Sequence, residues 1–275
     1  MTAKDSPPSQ DIIQHYQQAD EDSRLQTGWF HLEFERTKEL ILRHLAPAPA
    51  VLLDVGGGSG PYAAWLASLG YEAHLIDPVR KHVDQALNRS TRQQRPIASM
   101  RLGDARKLEQ SDSSVDAVLL LGPLYHLTER ADRGACLKET FRVLRRGGVV
   151  FAAAISRYAS LLDSLAHGFF DLPDFAPILE HDLRDGQHRN TTGKPEYFTT
   201  AYFHRPDELV SELSAAGFTL QEVAGIEGPG WLARDFDRLW AKPDERERLL
   251  QCARKVEHEP ALLGASSHIM AIGKK

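Results

Sequence analysis

Cysteine is scarce: Cys136 and Cys252 are the only two in 275 residues. That excludes a disulfide framework or a cysteine zinc site and leaves two reduced thiols. Long hydrophobic runs are lacking as well. The longest apolar stretches, residues 115–121 (broken by Asp116) and 149–155, are strand-sized and fall short of the ~18 residues that span a bilayer, so no membrane association is expected. The N-terminal MTAKDSPPSQD has no apolar segment behind its lysine and reads as a frayed tail rather than a secretory signal. A cytoplasmic protein is the resulting expectation. Positive charge is in deficit, with 33 Lys and Arg against 38 Asp and Glu for a net charge of -5. Nothing in that balance attracts phosphate backbones. The basic stretch Arg89, Arg92, Arg95, Arg101, Arg106 and Lys107 is diluted by Asp104 and Glu109 and has no interleaved aromatics for base stacking, so no nucleic-acid partner is expected. The 12 histidines form no H-x-x-x-H or H-E-x-x-H pattern, and no metal is assigned.

With 42% hydrophobic and 26% charged residues, the chain has the composition of an ordinary globular protein with material for a core. Its length suits one large domain or a domain with a sizeable insertion. From residue 51 onward, strand and helix patterns alternate. Residues 51–55 are a compact apolar run. A helix over 59–69 follows, with Pro61 in its first turn and Gly70 as a stop. Residues 73–76 form a second strand, and Pro78 opens a helix whose Val79, Val83, Ala86 and Leu87 share a face. Further strands are expected at 97–102 and 115–121. Thr128 is expected to cap a helix carrying Leu137, Phe141 and Leu144, ended by Gly147-Gly148 before a strand at 149–155. This alternation specifies an α/β fold with a doubly wound, Rossmann-like parallel sheet.

The rhythm breaks at 156–205, where aromatics, histidines and turn residues without a sustained period suggest an inserted cap. It resumes with a helix at 206–216, a strand at 218–224, one or two charged helices in 231–256 and a terminal strand at 267–272. Helices at 11–25 and 34–45 precede the sheet. The expected organisation is an N-terminal helical segment, 1–45, and a domain, 46–275, with a cap insertion near 156–205 and a helical insertion near 228–258.

The stretch Asp54-Val55-Gly56-Gly57-Gly58-Ser59-Gly60 lies where the first strand turns into the first helix. Glycines there let the backbone approach a ligand beside the free amides of the helix. In an open parallel sheet that position faces the crevice beyond the strand ends. A dinucleotide fingerprint would need a glycine at position 61, which is proline, and no Gly-Lys-Ser/Thr follows for a Walker loop. Asp54 would repel pyrophosphate but attract an ammonium group. Asp77 closes the second strand, where a carboxylate accepts from ribose hydroxyls. Asp104, after the third strand, is placed to accept from an adenine amine. The combination matches S-adenosylmethionine.

The motifs Asp54-x-Gly56-x-Gly58-x-Gly60, Asp77, Gly103-Asp104-Ala105, the strand at 116–121 and Leu144-Arg145-Arg146-Gly147-Gly148 resemble class I S-adenosylmethionine-dependent methyltransferases, specifically the ubiquinone/menaquinone-biosynthesis-like bacterial group. The resemblance covers residues 50–155 strongly and the terminal strands weakly. It implies a seven-stranded sheet whose last strand is antiparallel, and an enzyme that methylates a small molecule. It also implies donor contacts from Asp54, Gly56, Gly57, Gly58, Gly60, Asp77, Pro78, Asp104, Ala105 and Leu121. The rival readings are a non-catalytic S-adenosylmethionine-binding protein and a nicotinamide-dependent dehydrogenase.

Methyl transfer from a sulfonium demands alignment and exclusion of water, with a base only where the acceptor must lose a proton. Gly122-Pro123-Leu124-Tyr125-His126-Leu127 follows the fourth strand, the place that lies beside the transferred methyl in similar methyltransferases. His126 is the candidate general base or acceptor-orienting residue and Tyr125 a candidate acceptor contact. The Asn/Asp-Pro-Pro-Tyr signature of DNA and glutamine N-methyltransferases is absent there. In the cap, Arg157, Tyr158, Tyr202 and His204 are candidates for walling an acceptor pocket, within a basic and aromatic set that also holds His181, His188, Arg189 and Tyr197. On the N-terminal helices, Tyr16 and Arg36 are candidates to close over the methionine end, Arg36 as a charge-assisted partner of the donor carboxylate. The residues leave the acceptor atom and the oligomeric state open.

Overall fold

The computed structural model describes residues 10–275; the tail expected over 1–9 lies outside the described residues. Three helices precede the sheet: α1 (Gln10–Gln18), α2 (Glu21–Arg24) and α3 (Phe30–His44). The single helix expected over 11–25 is interrupted at Ala19 and Asp20. Then come β1 (Val51–Val55), α4 (Pro61–Ser68), β2 (Glu72–Asp77), α5 (Arg80–Ser90), β3 (Ser99–Leu102), β4 (Val115–Leu120), the short α6 (Pro123–His126), α7 (Arg130–Val143) and β5 (Leu144–Ile155). Residues between β5 and the next long helix form α8 (Ala159–His167), α9 (Ala176–Asp185) and a ribbon of β6 (Gln187–His188) and β7 (Ala201–Tyr202). The chain ends with α10 (Pro206–Ala215), β8 (Thr219–Gly225), α11 (Phe236–Ala241), α12 (Pro243–Val256) and β9 (His268–Lys274).

The main sheet has seven strands in the order β3-β2-β1-β4-β5-β9-β8. β1 to β5 are mutually parallel, and β9 runs antiparallel to both neighbours. The terminal strand thus has the direction the sequence motifs imply. Alternate residues of each strand face opposite sides. Leu52, Leu75, Leu119 and Phe151 pack in one core layer, and Leu53, Ile76, Val118 and Val150 in the other. The chain winds outward from β1 to β3 and then crosses back to β4, so a crevice opens between the carboxyl ends of β1 and β4.

Two local expectations are corrected. Gly147 and Gly148 do not end a helix. The backbone is already extended at Leu144, and both glycines lie inside β5. There Gly147 N–H donates to the Lys275 carbonyl and Lys275 N–H to the Gly148 carbonyl, both at 2.9 Å. Pairing with the C-terminus outweighs the stop signal. Thr128 is not the cap of α7 either, since Glu129 holds that position while the Thr128 carbonyl accepts from Arg133 Nη1 at 2.9 Å.

That arginine ties α7 to α10. Arg133, nearly fully buried, also donates to Glu212 of α10 at 2.7 Å and to the Leu127 carbonyl at 2.9 Å. Glu212 is held down to about pKa 2, because His204 and Arg133 outweigh the opposing effect of burial. Among the described residues no helix is long and apolar enough to cross a membrane.

Candidate functional site

The loop leaving β1 is held by its own backbone. Gly56 N–H donates to the Ile76 carbonyl at 2.7 Å and Gly60 N–H to the Gly57 carbonyl at 3.0 Å. Gly56, Gly58 and Gly60 take positive φ of 68, 59 and 79°, a region open to glycine at little cost. Gly57 is glycine for another reason. A Cβ there would fall 2.6 Å from the Asp54 carboxyl group and 2.9 Å from Leu75 Cδ1. Asp77 ties the loop to the neighbouring strand: its Oδ2 accepts from Gly58 N–H at 2.9 Å, and its Oδ1 accepts from Val79 N–H at 2.9 Å and lies 3.0 Å from His82 Nδ1.

Asp54 is 2% exposed, and neither carboxylate oxygen has a hydrogen-bond partner among the described residues. Burial and then the nearby Asp77 carboxylate raise its pKa to about 7, against a small opposing effect of the Ala63 amide. A buried, unmatched acid is costly, and a cationic ligand group would relieve it. Ser59 Oγ and His82 Nε2 are further buried polar atoms without partners. These orphans fit the methionine ammonium and ribose of S-adenosylmethionine, whereas a pyrophosphate would be repelled.

This loop forms one wall of a cavity of about 270 Å³. Asp54, Gly56, Gly57, Gly58, Asp77, Pro78, Asp104, Ala105, Leu121, Tyr125, His126 and Tyr16 all line it. Gly60 is not among the lining residues. It sits behind the loop, where a Cβ would press on Ala86, Leu75 and Ile97 at 3.1–3.3 Å. Asp104 is already engaged, accepting Arg106 N–H at 2.8 Å and Arg106 Nη2 at 2.6 Å, and these contacts lower its pKa against the effect of burial. Arg106 also reaches Asp132 Oδ2 at 3.1 Å, while Asp132 Oδ1 is buried without a partner on the same wall. Asp132 carries no motif, and only its place in the first turn of α7 marks it.

The N-terminal helices close the other side. Lys81 Nζ donates to the Ala19 carbonyl at 2.8 Å and the Gln17 carbonyl at 3.1 Å, clamping the end of α1 to α5. Arg89 bonds Asp22 Oδ1 at 2.5 Å and the Ser59 carbonyl at 3.1 Å. Tyr16 Oη lies 2.7 Å from His126 Nε2. Burial, with Tyr125 and Glu21 adding to it, holds the Tyr16 hydroxyl well above the usual range, so it stays protonated at neutral pH. His126 is pushed down to about pKa 3 by burial, with His15 and His82 contributing and the Thr200 backbone opposing. At neutral pH it is an uncharged ring.

The expected position of Arg36 is corrected. Its guanidinium is fully buried away from this cavity, bonded to Glu39, to Glu257 and to the Ile226 carbonyl. Arg24 stands in the cavity instead, paired with Glu33 at 2.8 Å and Glu21 at 2.7 Å.

A second cavity of about 440 Å³ adjoins the first and shares Tyr16, Glu21, Arg24 and Tyr125 with it. Its walls are aromatic, including Trp29, Phe30, Phe175, Tyr197, Phe198 and Trp231. Of the cap candidates named from the sequence, Arg157, Tyr158, Tyr202 and His204 line neither cavity. Arg157 is buried against the Phe203 carbonyl and Glu208, and stacked towards Tyr202. His204 is buried beside Glu212, and Tyr158 packs over Gly264. They brace the cap rather than face a ligand. His188 and Tyr197 do line the chamber, but His188 is held by Asp182 at 2.9 Å and the Tyr197 carbonyl at 2.8 Å. Beneath the chamber, burial alone would lower the pKa of His268, but Glu33 and Glu227 raise it, the latter at 2.7 Å from Nδ1. Glu33, Glu227 and His268 each bring one possible metal-binding atom within 4.8 Å of the others, but these groups are engaged with one another, Arg24 and Ser266.

Residues 53–152 match the family model described as a methyltransferase domain. The match runs from within β1 to within β5, the parallel part of the seven-stranded sheet. A malonyl-[acyl-carrier protein] O-methyltransferase of Methylococcus capsulatus is 34% identical over 110 residues, 39% of this chain and 38% of that protein. A ubiquinone biosynthesis O-methyltransferase of Caulobacter vibrioides is 28% identical over 175 residues, 64% of this chain and 62% of that protein. The chain therefore spans less than two thirds of the length of these relatives. Among solved structures, an S-adenosylmethionine-dependent methyltransferase of Methanosarcina mazei superposes with a TM-score of 0.59 at 21% identity, over 86% of this chain and 96% of that one. Another from Mesorhizobium loti gives 0.58 at 14% identity, over 89% and 100%. This chain shares its fold with both.

Proposed function

We infer that the protein transfers the methyl group of S-adenosylmethionine to a small molecule held in the second cavity. The observation that carries this reading is the meeting of two cavities at Tyr16 and Tyr125, one walled by the glycine loop and strand-end acids and the other by aromatic rings. When bound, the donor supplies an electrophilic methyl on a sulfonium, which an acceptor lone pair attacks in line. Asp54 and Gly56 to Gly58 hold the methionine end, Asp77 with His82 takes the ribose, and Asp132 beside Asp104 takes the adenine amine. His126, uncharged at neutral pH, is a weak proton sink, because an effective general base has a pKa near the working pH. Its work is to hold Tyr16 at the junction, so that Tyr16 and Tyr125 orient the acceptor and exclude water.

In this reading residues 10–45, the described part of the N-terminal segment, are the closing helices. Residues 46–275 are the methyltransferase domain, with 156–205 as its cap and 228–258 as a second insertion. The protein works in the cytoplasm on a small molecule and uses neither nucleic acid nor metal. Incubation with methyl-labelled donor and a metabolite extract tests this: a labelled small-molecule product, with release of S-adenosylhomocysteine, is the expected outcome. Tight donor binding with no labelled product from any extract would leave a binding protein instead.

A further inference from the structure

The chamber next to the donor cavity carries a charge pattern as well as a shape. Its cationic groups are spent: Arg24 is paired with both Glu21 and Glu33, and His268 lies 2.7 Å from Glu227. Its acids are not balanced in the same way. Asp20 and Glu196 line the chamber and are exposed to solvent, and among the described residues neither has an ion pair. Asp20 accepts only the Ser23 hydroxyl, at 2.6 Å. The same chamber is lined by aromatic rings, whose faces attract cations as well as flat rings.

We propose that the acceptor is an aromatic molecule bearing a basic amine, its ring held between the chamber's aromatic walls and its ammonium drawn to Asp20 and Glu196. This rests on the methyl-transfer reading of the same site. A volume of about 440 Å³ accommodates a ring system with a short side chain. A carboxylate in the same place meets Asp20 and Glu196, and Arg24, the one Arg or Lys among the described residues that line the chamber, is already paired, so anionic acceptors are rejected.

Calorimetry on the full chain separates the two claims. S-adenosylhomocysteine is titrated first, and its binding stands or falls with the donor reading alone. With it saturating, tryptamine, tryptophol and indole-3-acetate are then compared, three probes that share a ring and differ in charge. Tryptamine is expected to bind at least tenfold more tightly than tryptophol, and indole-3-acetate most weakly. Added salt should narrow the gap, as for contacts near the surface. The doubly substituted Asp20→Asn, Glu196→Gln protein, changed only at exposed positions, should lose most of the preference for tryptamine while binding S-adenosylhomocysteine as before. Equal or tighter binding of tryptophol or indole-3-acetate, an unaltered preference in the double variant, or no binding of any of the three with S-adenosylhomocysteine bound would each overturn the proposal.

Discussion

The donor cavity and the chamber beside it are assembled by different means. The first takes its donor-facing wall from strand ends and the turns that follow them, positions that the sheet fixes to within a hydrogen bond, as with Gly58 N–H on Asp77. The second is gathered from α1, α2, the cap and the segment before β9, brought together by packing across long stretches of chain. On the proposed reading, donor binding sits on the strand ends and acceptor choice on the segments packed beside them, as befits loops carried by a scaffold.

The comparison breaks most sharply at Gly57. Gly57→Val drives a side chain into the Asp54 carboxyl group. Overpacking of about 1–3 kcal/mol that also displaces a charged contact should weaken donor binding roughly 100-fold, with the chamber untouched. An unchanged dissociation constant in calorimetry would contradict the placement of the donor on this loop.

Asp54→Asn should act with opposite signs on the free and the loaded protein. Asp54 is raised to about pKa 7 by burial and Asp77, so between its unfolded value near 3.9 and that point the folded state binds more protons than the unfolded chain. The free protein therefore loses stability as pH climbs through this window, and the asparagine variant does not. Donor affinity runs the other way, rising as Asp54 ionises and levelling off above pH 7. It should fall more than tenfold in Asp54→Asn, as for loss of a charged hydrogen bond of about 1.5–3 kcal/mol. Melting curves and calorimetry between pH 5 and 8 read both; parallel pH profiles for the two proteins would count against the role of Asp54.

The smallest effect belongs to the junction. Tyr16→Phe removes one neutral hydrogen bond to His126, about 0.5–1.5 kcal/mol. Turnover should drop between twofold and tenfold with donor affinity little altered. A change in donor affinity alone would make Tyr16 a donor contact rather than a residue that orients the acceptor.

How far the sequence was legible follows the same division. The strands, the glycine loop and the acids at 54, 77 and 104 were readable because period, turn chemistry and strand-end position are local properties. Asp132, Arg24 and His82 were not, because each reaches the cavity from a helix whose docking no short window encodes. Arg36 was misplaced for the same reason: its partners Glu257 and the Ile226 carbonyl lie far along the chain. Arg157 and His204 looked like pocket residues by type, yet Glu208 and Glu212 claim them as braces. Gly147 and Gly148 signalled a helix end, and the C-terminal strand drew them into the sheet.

By itself the sequence determined the winding of the sheet and the chemistry at its first bend, because strand and helix periods and glycine geometry depend on neighbouring residues alone. Only the tertiary structure decided which side chains face the acceptor and which are consumed as partners. Burial and charge pairing are settled between residues that meet after folding, and a charged side chain of either fate looks alike in the linear chain.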